Sequence, residues 1–356
     1  MCQNARRTGN RRKDEKGAFT MTGPVARMLA MVLLLLVCGS KAYADTLAPP
    51  AAAPRPAAGP VTALTVGPGM AFSVPSEAAR MAKPGDTIRI FPGTYVDCTS
   101  WEADGLIIEG AGPGVTITDK VCNDKGIFVT KGRDITVRNI TFTAAHSSNH
   151  NGSGIRAEGA NLTVEDSRFI ANEDGILAGD NPTSTITIKN SYFSGNGNCI
   201  AACAHGIYAN HIALLHVENS QFVEQHVGHH IKSRAARTEI VNNTVQDGAN
   251  GSASYLVDLP NGGFITISGN IFEKGPHSEN RQVAISVGGE KAKGLNPAGE
   301  IRIEDNVLSN DAGIPTAFVK NYTDSPVLLQ RNHFSGPVIP LVDAAKPDND
   351  SAPPSR

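Results

Sequence analysis

Tyr208, Lys232 and Asp258 recur at near-equal spacing, and Asn210 and Arg234 follow the first two of them by two residues each. These types suit an acidic sugar chain: Arg and Lys pair with carboxylates or sulfates, and Tyr offers a stacking face with a polar tip. For proton abstraction beside a carboxylate, Lys232 is the candidate base, since the neighbouring Arg234 cation favours its neutral amine. Arg234 then holds the carboxylate, and Tyr208 or His230 supplies the acid for the leaving oxygen. Arg156, Asn210, Asp258 and Asn261 are candidate substrate-binding residues. Asp174, His205 and His229 form a second set, with donor types that suit zinc or iron and, more simply, a buried structural hydrogen-bond ladder. The Cys/His spacings of metal motifs are missing, so no cofactor is expected, and calcium or zinc has no motif to hold it.

What positions these residues is a repeat. The segments ITVRNITF (135–142), LTVEDSRF (162–169), ITIKNSYF (186–193), LHVENSQF (215–222), TEIVNNTV (238–245), ITISGNIF (265–272), IRIEDNVL (301–308) and VLLQRNHF (327–334) superpose. The mean period is (329 − 137)/7, about 27 residues, in the range of solenoids. An apolar column runs from Val137 through Val164, Ile188, Val217, Ile240, Ile267 and Ile303 to Leu329, with a second five residues later. Asn139, Asp166, Asn190, Asn219, Asn242 and Asp305 lie between the two, types that tolerate a left-handed turn and can bond one coil away.

A further column, Ile127, Ile155, Ile176, Ile207, Ile231, Val257, Ile285 and Val319, opens a separate strand, with Gly before its first four members. Two short alternating strands per coil bury an apolar face only by stacking. Registering on this column puts Arg156, Leu177, Tyr208, Lys232, Asp258 and Ser286 on one outward line. Glu158, Gly179, Asn210, Arg234, Pro260 and Gly288 fall on another. It points Asp174, His205 and His229 inward and His230 outward. Glu290, Lys291 and Lys293, in the longest insertion between coils, read as a solvated loop. Asp174 and Asp258 fall three coils apart, roughly 14 Å, too far for the ~6.5–9.5 Å of an inverting glycosidase pair.

Fold class follows: all-β, a single-stranded right-handed parallel β-helix, or solenoid, with an N-terminal cap over Phe72 to Ala82. GDTIRIFPGTY (85–95) and LIIEGAGPGVTI (106–117) resemble the first coils of pectin-lyase-like β-helix proteins. HHIKSRAARTEIVNNTV (229–245) resembles the catalytic Lys-Ser strand and following turn of alginate and chondroitin lyases of the β-helix type. That resemblance carries over Lys232 alone, because Asp258 stands where those lyases place an arginine. Asn172-Glu173-Asp174, His205-Gly206 and His230-Ile231-Lys232 are loosely similar to polygalacturonases, but no acid pair stands near Cys203 and Ala204. HGIYAN (205–210), GHHIKSRA (228–235) and YLVDLPNGG (255–263) resemble most closely a group of exported proteobacterial β-helix repeat proteins, which implies no particular reaction.

Composition bounds the rest. A formal net charge of −2 gives no global reason to bind nucleic acid or an anionic membrane. Arg6, Arg7, Arg11, Arg12, Lys13, Lys16 and Arg27 precede the apolar run Met28 to Val37, and Ala42-Tyr43-Ala44 follows. Residues 1–44 thus read as a signal peptide, the apolar run being shorter than the ~20 residues of a membrane span. Residues 45–65 read as an Ala/Pro-rich linker, 66–340 as the β-helix and 341–356 as a disordered tail. In an oxidising compartment Cys98 is expected to pair with Cys122 and Cys199 with Cys203, although sequence leaves connectivity open. The expectation is a secreted or periplasmic monomer acting on an acidic polysaccharide as a lyase or epimerase. A non-catalytic glycan-binding or cell-surface protein is the alternative, and a glycoside hydrolase the second.

Overall fold

The computed structural model describes residues 63–200, 202–290 and 293–344. The expected signal peptide, most of the linker, Lys291 and the tail from residue 345 lie outside them. Strands run from Ala63 to Asp343, and each complete coil supplies three. In the coil that carries Lys232 these are His229–Ser233, Arg237–Val241 and Thr244–Gln246. Stacking the coils gives three parallel sheets: a first of 11 strands that includes Arg237–Val241, a second of 10 that includes Thr244–Gln246 and a third of 10 that includes His229–Ser233.

The first repeat column lies in register from Val137 to Leu329. The second lies in register from Phe142 to Phe334. Because strand spacing is about 4.8 Å, equivalent phenylalanines must stack, and Phe142, Phe169, Phe193 and Phe222 do so with centroids 5.2, 4.7 and 4.5 Å apart. Opposite this stack stand Gly154 and Gly175. A Cβ on Gly154 would lie 2.7 Å from the Phe169 ring, and one on Gly175 2.9 Å from Phe193. The glycines are therefore what the rings require.

The third-sheet column needs two corrections. Phe128, not Ile127, is the partner of Ile155. His230 does not face out. On entering this sheet the strands turn two consecutive residues inward, as with Leu256 and Val257, Ala284 and Ile285, and Phe318 and Val319, all buried. Strict alternation fails there, and His230 occupies the extra inward position. Its coil is also the one in which Val245 interrupts the phenylalanines.

The turns between first and second sheets take left-handed backbone at Asn139, Asp166, Asn190, Asn219, Asn242 and Asp305, with φ from 50° to 57°. The inter-coil ladder belongs to the next residue along. Asn243 N–H donates to Asn270 Oδ1 at 2.8 Å, and Asn270 N–H to Asn306 Oδ1 at 2.9 Å. Buried amides thus satisfy the turn backbone coil by coil.

The N-terminal helix is shorter than expected, Pro75–Ala79. Pro75 favours the helix start, while Phe72 instead bridges Val66. Ala78 closes the end of the core. Cys98 is bonded to Cys122 and Cys199 to Cys203. Among the described residues no helix is long and apolar enough to cross a membrane.

Candidate functional site

The third sheet aligns Arg156, Leu177, Tyr208, Lys232, Asp258 and Ser286 in one register, extended by Lys320. Lys232 Nζ lies 3.2 Å from Asp258 Oδ2, and the two side chains are only 11% and 6% exposed. This is a buried pair and not the surface pair that the spacing alone would suggest. Burial pushes the Asp258 carboxyl up; the Lys232 charge offsets this in part.

Arg234 uses each of its nitrogens on a different partner. Nε donates to Tyr208 Oη at 3.0 Å, Nη1 to Asn261 Oδ1 at 2.7 Å and Nη2 to Glu290 Oε2 at 2.9 Å. A planar guanidinium fixes three directions at once, which an ammonium cannot do. Asn261 is itself braced, donating to Gly294 O at 2.6 Å.

Glu290 is the residue that sequence reasoning missed. The insertion read as solvated loop delivers its carboxylate to Lys232 Nζ at 3.3 Å, Arg234 at 2.9 Å and Lys293 Nζ at 2.7 Å. Burial raises the Glu290 carboxyl, but hydrogen bonds from Lys293 and Arg234 and the Lys232 charge outweigh it and hold it down at about 2. Insertion length was the only sequence signal, and it says nothing about where a carboxylate points. Glu290 also changes the surroundings of Lys232: its charged contacts are two carboxylates, whereas Arg234 was expected to be its electrostatic neighbour.

Asp174, His205 and His229 line up one coil after another as a ladder of backbone donors into side-chain acceptors. His205 N–H donates to Asp174 Oδ1 at 2.6 Å, His229 N–H to His205 Nδ1 at 3.0 Å, and Tyr255 N–H to His229 Nδ1 at 3.2 Å. Both Nδ1 atoms are therefore acceptors, and each neutral ring carries its proton on Nε2. Burial holds both imidazoles well below their ordinary range. The rings stack 4.8 Å apart, with Tyr255 5.0 Å beyond. With Asp174 Oδ1 and both Nδ1 atoms accepting backbone N–H groups, the set forms a hydrogen-bond ladder from coil to coil. His229 is not wholly inward either: its Nε2 stands 3.5 Å from Asp258 Oδ2.

His230 is removed from the site. Its Nε2 lies 2.9 Å from Asp247 Oδ1, and Lys274 Nζ lies 3.3 Å from Asp247 Oδ2, all three side chains essentially inaccessible. It cannot serve as acid for a ligand on the outer face. Arg156 is separated from Tyr208 by Leu177 and faces Glu158 at 3.7 Å. Asn210 braces Ala178 O at 3.0 Å. The structure thus brings together Tyr208, Lys232, Arg234, Asp258 and Asn261, adds Glu290, and leaves out Arg156, Asn210 and His230.

Residues 93–245 match the family model described as the right-handed beta helix region. The chain is a right-handed parallel β-helix. Solved structures similar to this β-helix include ORF18 of Geobacillus virus E2, 14% identical over 72% of this chain and 54% of that chain, with a TM-score of 0.38. This β-helix chain therefore spans about half the length of the viral protein. Also similar are an alginate lyase from Paenibacillus sp. str. FPU-7, at 19% identity, 74% and 95% coverage and a TM-score of 0.43, and the A-module of an Azotobacter vinelandii mannuronan C-5 epimerase, at 13%, 75% and 92%, and 0.29. At such identities the likeness concerns fold alone. No curated protein matches the sequence.

Proposed function

We propose that this β-helix is an exported protein that binds an acidic polysaccharide across Tyr208, Lys232 and Arg234 and acts on it by proton abstraction beside a uronate carboxylate. The observation that carries this reading is the carboxylate of Glu290, held by Lys232, Arg234 and Lys293. A uronate carboxylate has the same charge and planar shape, and charge-assisted bonds of this kind are the strong ones. Exchanged for Glu290, it is neutralised by Arg234, which acidifies the adjacent ring C–H. Lys232, relieved of one of its two anions and able to pass its own proton to Asp258, takes the ring proton. In β-elimination the electron pair forms the ring double bond, the bond to the leaving oxygen breaks, and Tyr208 protonates that oxygen. In epimerisation the bond to the leaving oxygen stays intact, and Tyr208 gives its proton to the opposite face of the same ring carbon. Tyr208 accepts from Arg234 Nε and so keeps its own proton for donation.

One observation favours a second reading, a glycan-binding protein without turnover. Lys232 is bonded to two carboxylates, and an ammonium so held is a binding cation. Ultraviolet detection of unsaturated products, run beside binding measurements on a panel of uronic-acid polymers, separates the two. Product formation lost in Lys232→Ala far beyond the loss of binding supports proton abstraction, with proton exchange at the ring carbon as the readout for epimerisation. Tight binding by the unaltered protein with neither product nor exchange leaves the binding reading and ends the catalytic one.

A further inference from the structure

Among the described residues, no three His, Cys, Asp or Glu side chains already stand at metal-ligand spacing. One cluster of such side chains around a largely buried carboxylate lies away from the Lys232 site, on the turn AAHSSNHNG (144–152) that leads into the third-sheet strand Ser153–Ala157. Glu173 lies beneath this turn with its side chain only 6% exposed, and its two oxygens are used differently. Oε2 accepts Gly152 N–H at 2.6 Å and Ser147 N–H at 3.0 Å, which wraps the turn around the carboxylate. Oε1 accepts no hydrogen bond among the described residues. Its neighbours are His150 Nδ1 at 3.4 Å and His146 Nδ1 at 3.8 Å.

Those separations are too long for good hydrogen bonds. They are the right size for two ligands of one cation, since donors about 2.0–2.1 Å from a tetrahedral zinc lie roughly 3.3–3.4 Å from each other. His150 meets this spacing to Glu173 as it stands. His146 must close by a few tenths of an ångström, and its ring is 67% exposed.

The backbone that carries the donors is already fixed. Asp124 Oδ1 accepts Ser148 N–H at 2.7 Å, Asp124 Oδ2 accepts Asn149 Nδ2 at 3.0 Å, and the His150 carbonyl accepts Asn198 Nδ2 at 3.2 Å. The bonds to Oε2 orient the carboxylate as outer-shell donors do at metal sites.

We propose that His146, His150 and Glu173 bind one borderline divalent cation of the zinc, cobalt or nickel kind. Two imidazoles and a carboxylate suit these metals, whereas calcium takes six to eight oxygens. The bound ion ties the turn to the coil of Glu173 and keeps at least one coordination position for water or an added ligand. The proposal is independent of the reading of the Lys232 site.

The test is titration of the untagged full chain with Co2+, read by the visible absorption of the bound ion, and with Zn2+, read by calorimetry. One equivalent is expected to bind, with a higher melting temperature, and with affinity falling at least about tenfold in His146→Ala and in His150→Ala. Both substitutions lie on an exposed turn, and circular dichroism checks that the variants fold. Absence of saturable binding, or binding unchanged in the double His146→Ala/His150→Ala variant, overturns the site. Zn2+ binding that excess Ca2+ displaces also overturns the assignment of metal class.

Discussion

Glu290 Oε2 lies 2.9 Å from Arg234 Nη2, two residues 56 apart in the chain that meet because an inserted loop folds back over the third sheet. The carboxylate competes for the cations that an acidic ligand needs. Glu290→Gln keeps the shape and removes the charge, and is expected to raise affinity for an acidic polymer by about tenfold, or ~1.4 kcal/mol. Titrations at low and moderate salt check this, since the gain should shrink with ionic strength. Equal or weaker binding by the variant removes the argument that this position receives a carboxylate.

Arg234 reaches Tyr208, Asn261 and Glu290 from three nitrogens. Arg234→Lys preserves charge but loses the fork. Loss of two charge-assisted bonds, at about 1.5–3 kcal/mol each, predicts at least a tenfold loss of acidic-ligand affinity. Near-normal binding by this variant would show that charge alone suffices.

Burial raises the Asp258 carboxyl above its ordinary value while it holds Lys232 at 3.2 Å. As pH falls through that raised value Asp258 takes up a proton and ceases to compete for Lys232, while a uronate with an ordinary carboxyl is still ionised. Ligand binding should therefore strengthen in weak acid before it fails in stronger acid. Asp258→Asn, neutral throughout, should bind more tightly at neutral pH and lose this rise. A binding profile of the same shape in both proteins contradicts the assignment.

Asp247 joins His230 and Lys274 in the interior, and Lys274 Nζ also donates to Ala253 O at 3.1 Å and Ser254 O at 2.8 Å. Burial pushes Asp247 up, but the bond from His230 and the Lys274 charge win, and its carboxyl is held well below the usual range. A depressed folded-state value means that this stability is present above the ordinary value of about 3.9 and lost as pH falls toward the depressed one. Asp247→Asn strands a buried ammonium and should cost about 3–5 kcal/mol at neutral pH. Urea melts from neutral pH down to about pH 3 should then show a smaller acid loss in the variant than in the parent.

Much of this molecule was legible in the chain because a stacked solenoid repeats one local problem. Ile155, Ile176, Ile207, Ile231, Val257, Ile285 and Val319 must point inward in every coil, so their spacing sets the register that puts Tyr208 beside Lys232 and Lys232 beside Asp258. Asn139 and its successors announced left-handed turns because few other residue types tolerate that backbone. Tertiary structure decided what periodicity does not encode. His230 turned inward because the strand gives up alternation where it enters the sheet, and a period of two cannot signal that. Glu290 reached Arg234 through an insertion outside the repeat, and the buried surroundings of Asp258 and Asp247 came from neighbours one coil or more away. Local spacing fixes which residues share a line; only packing fixes which charges meet and how far water is kept from them.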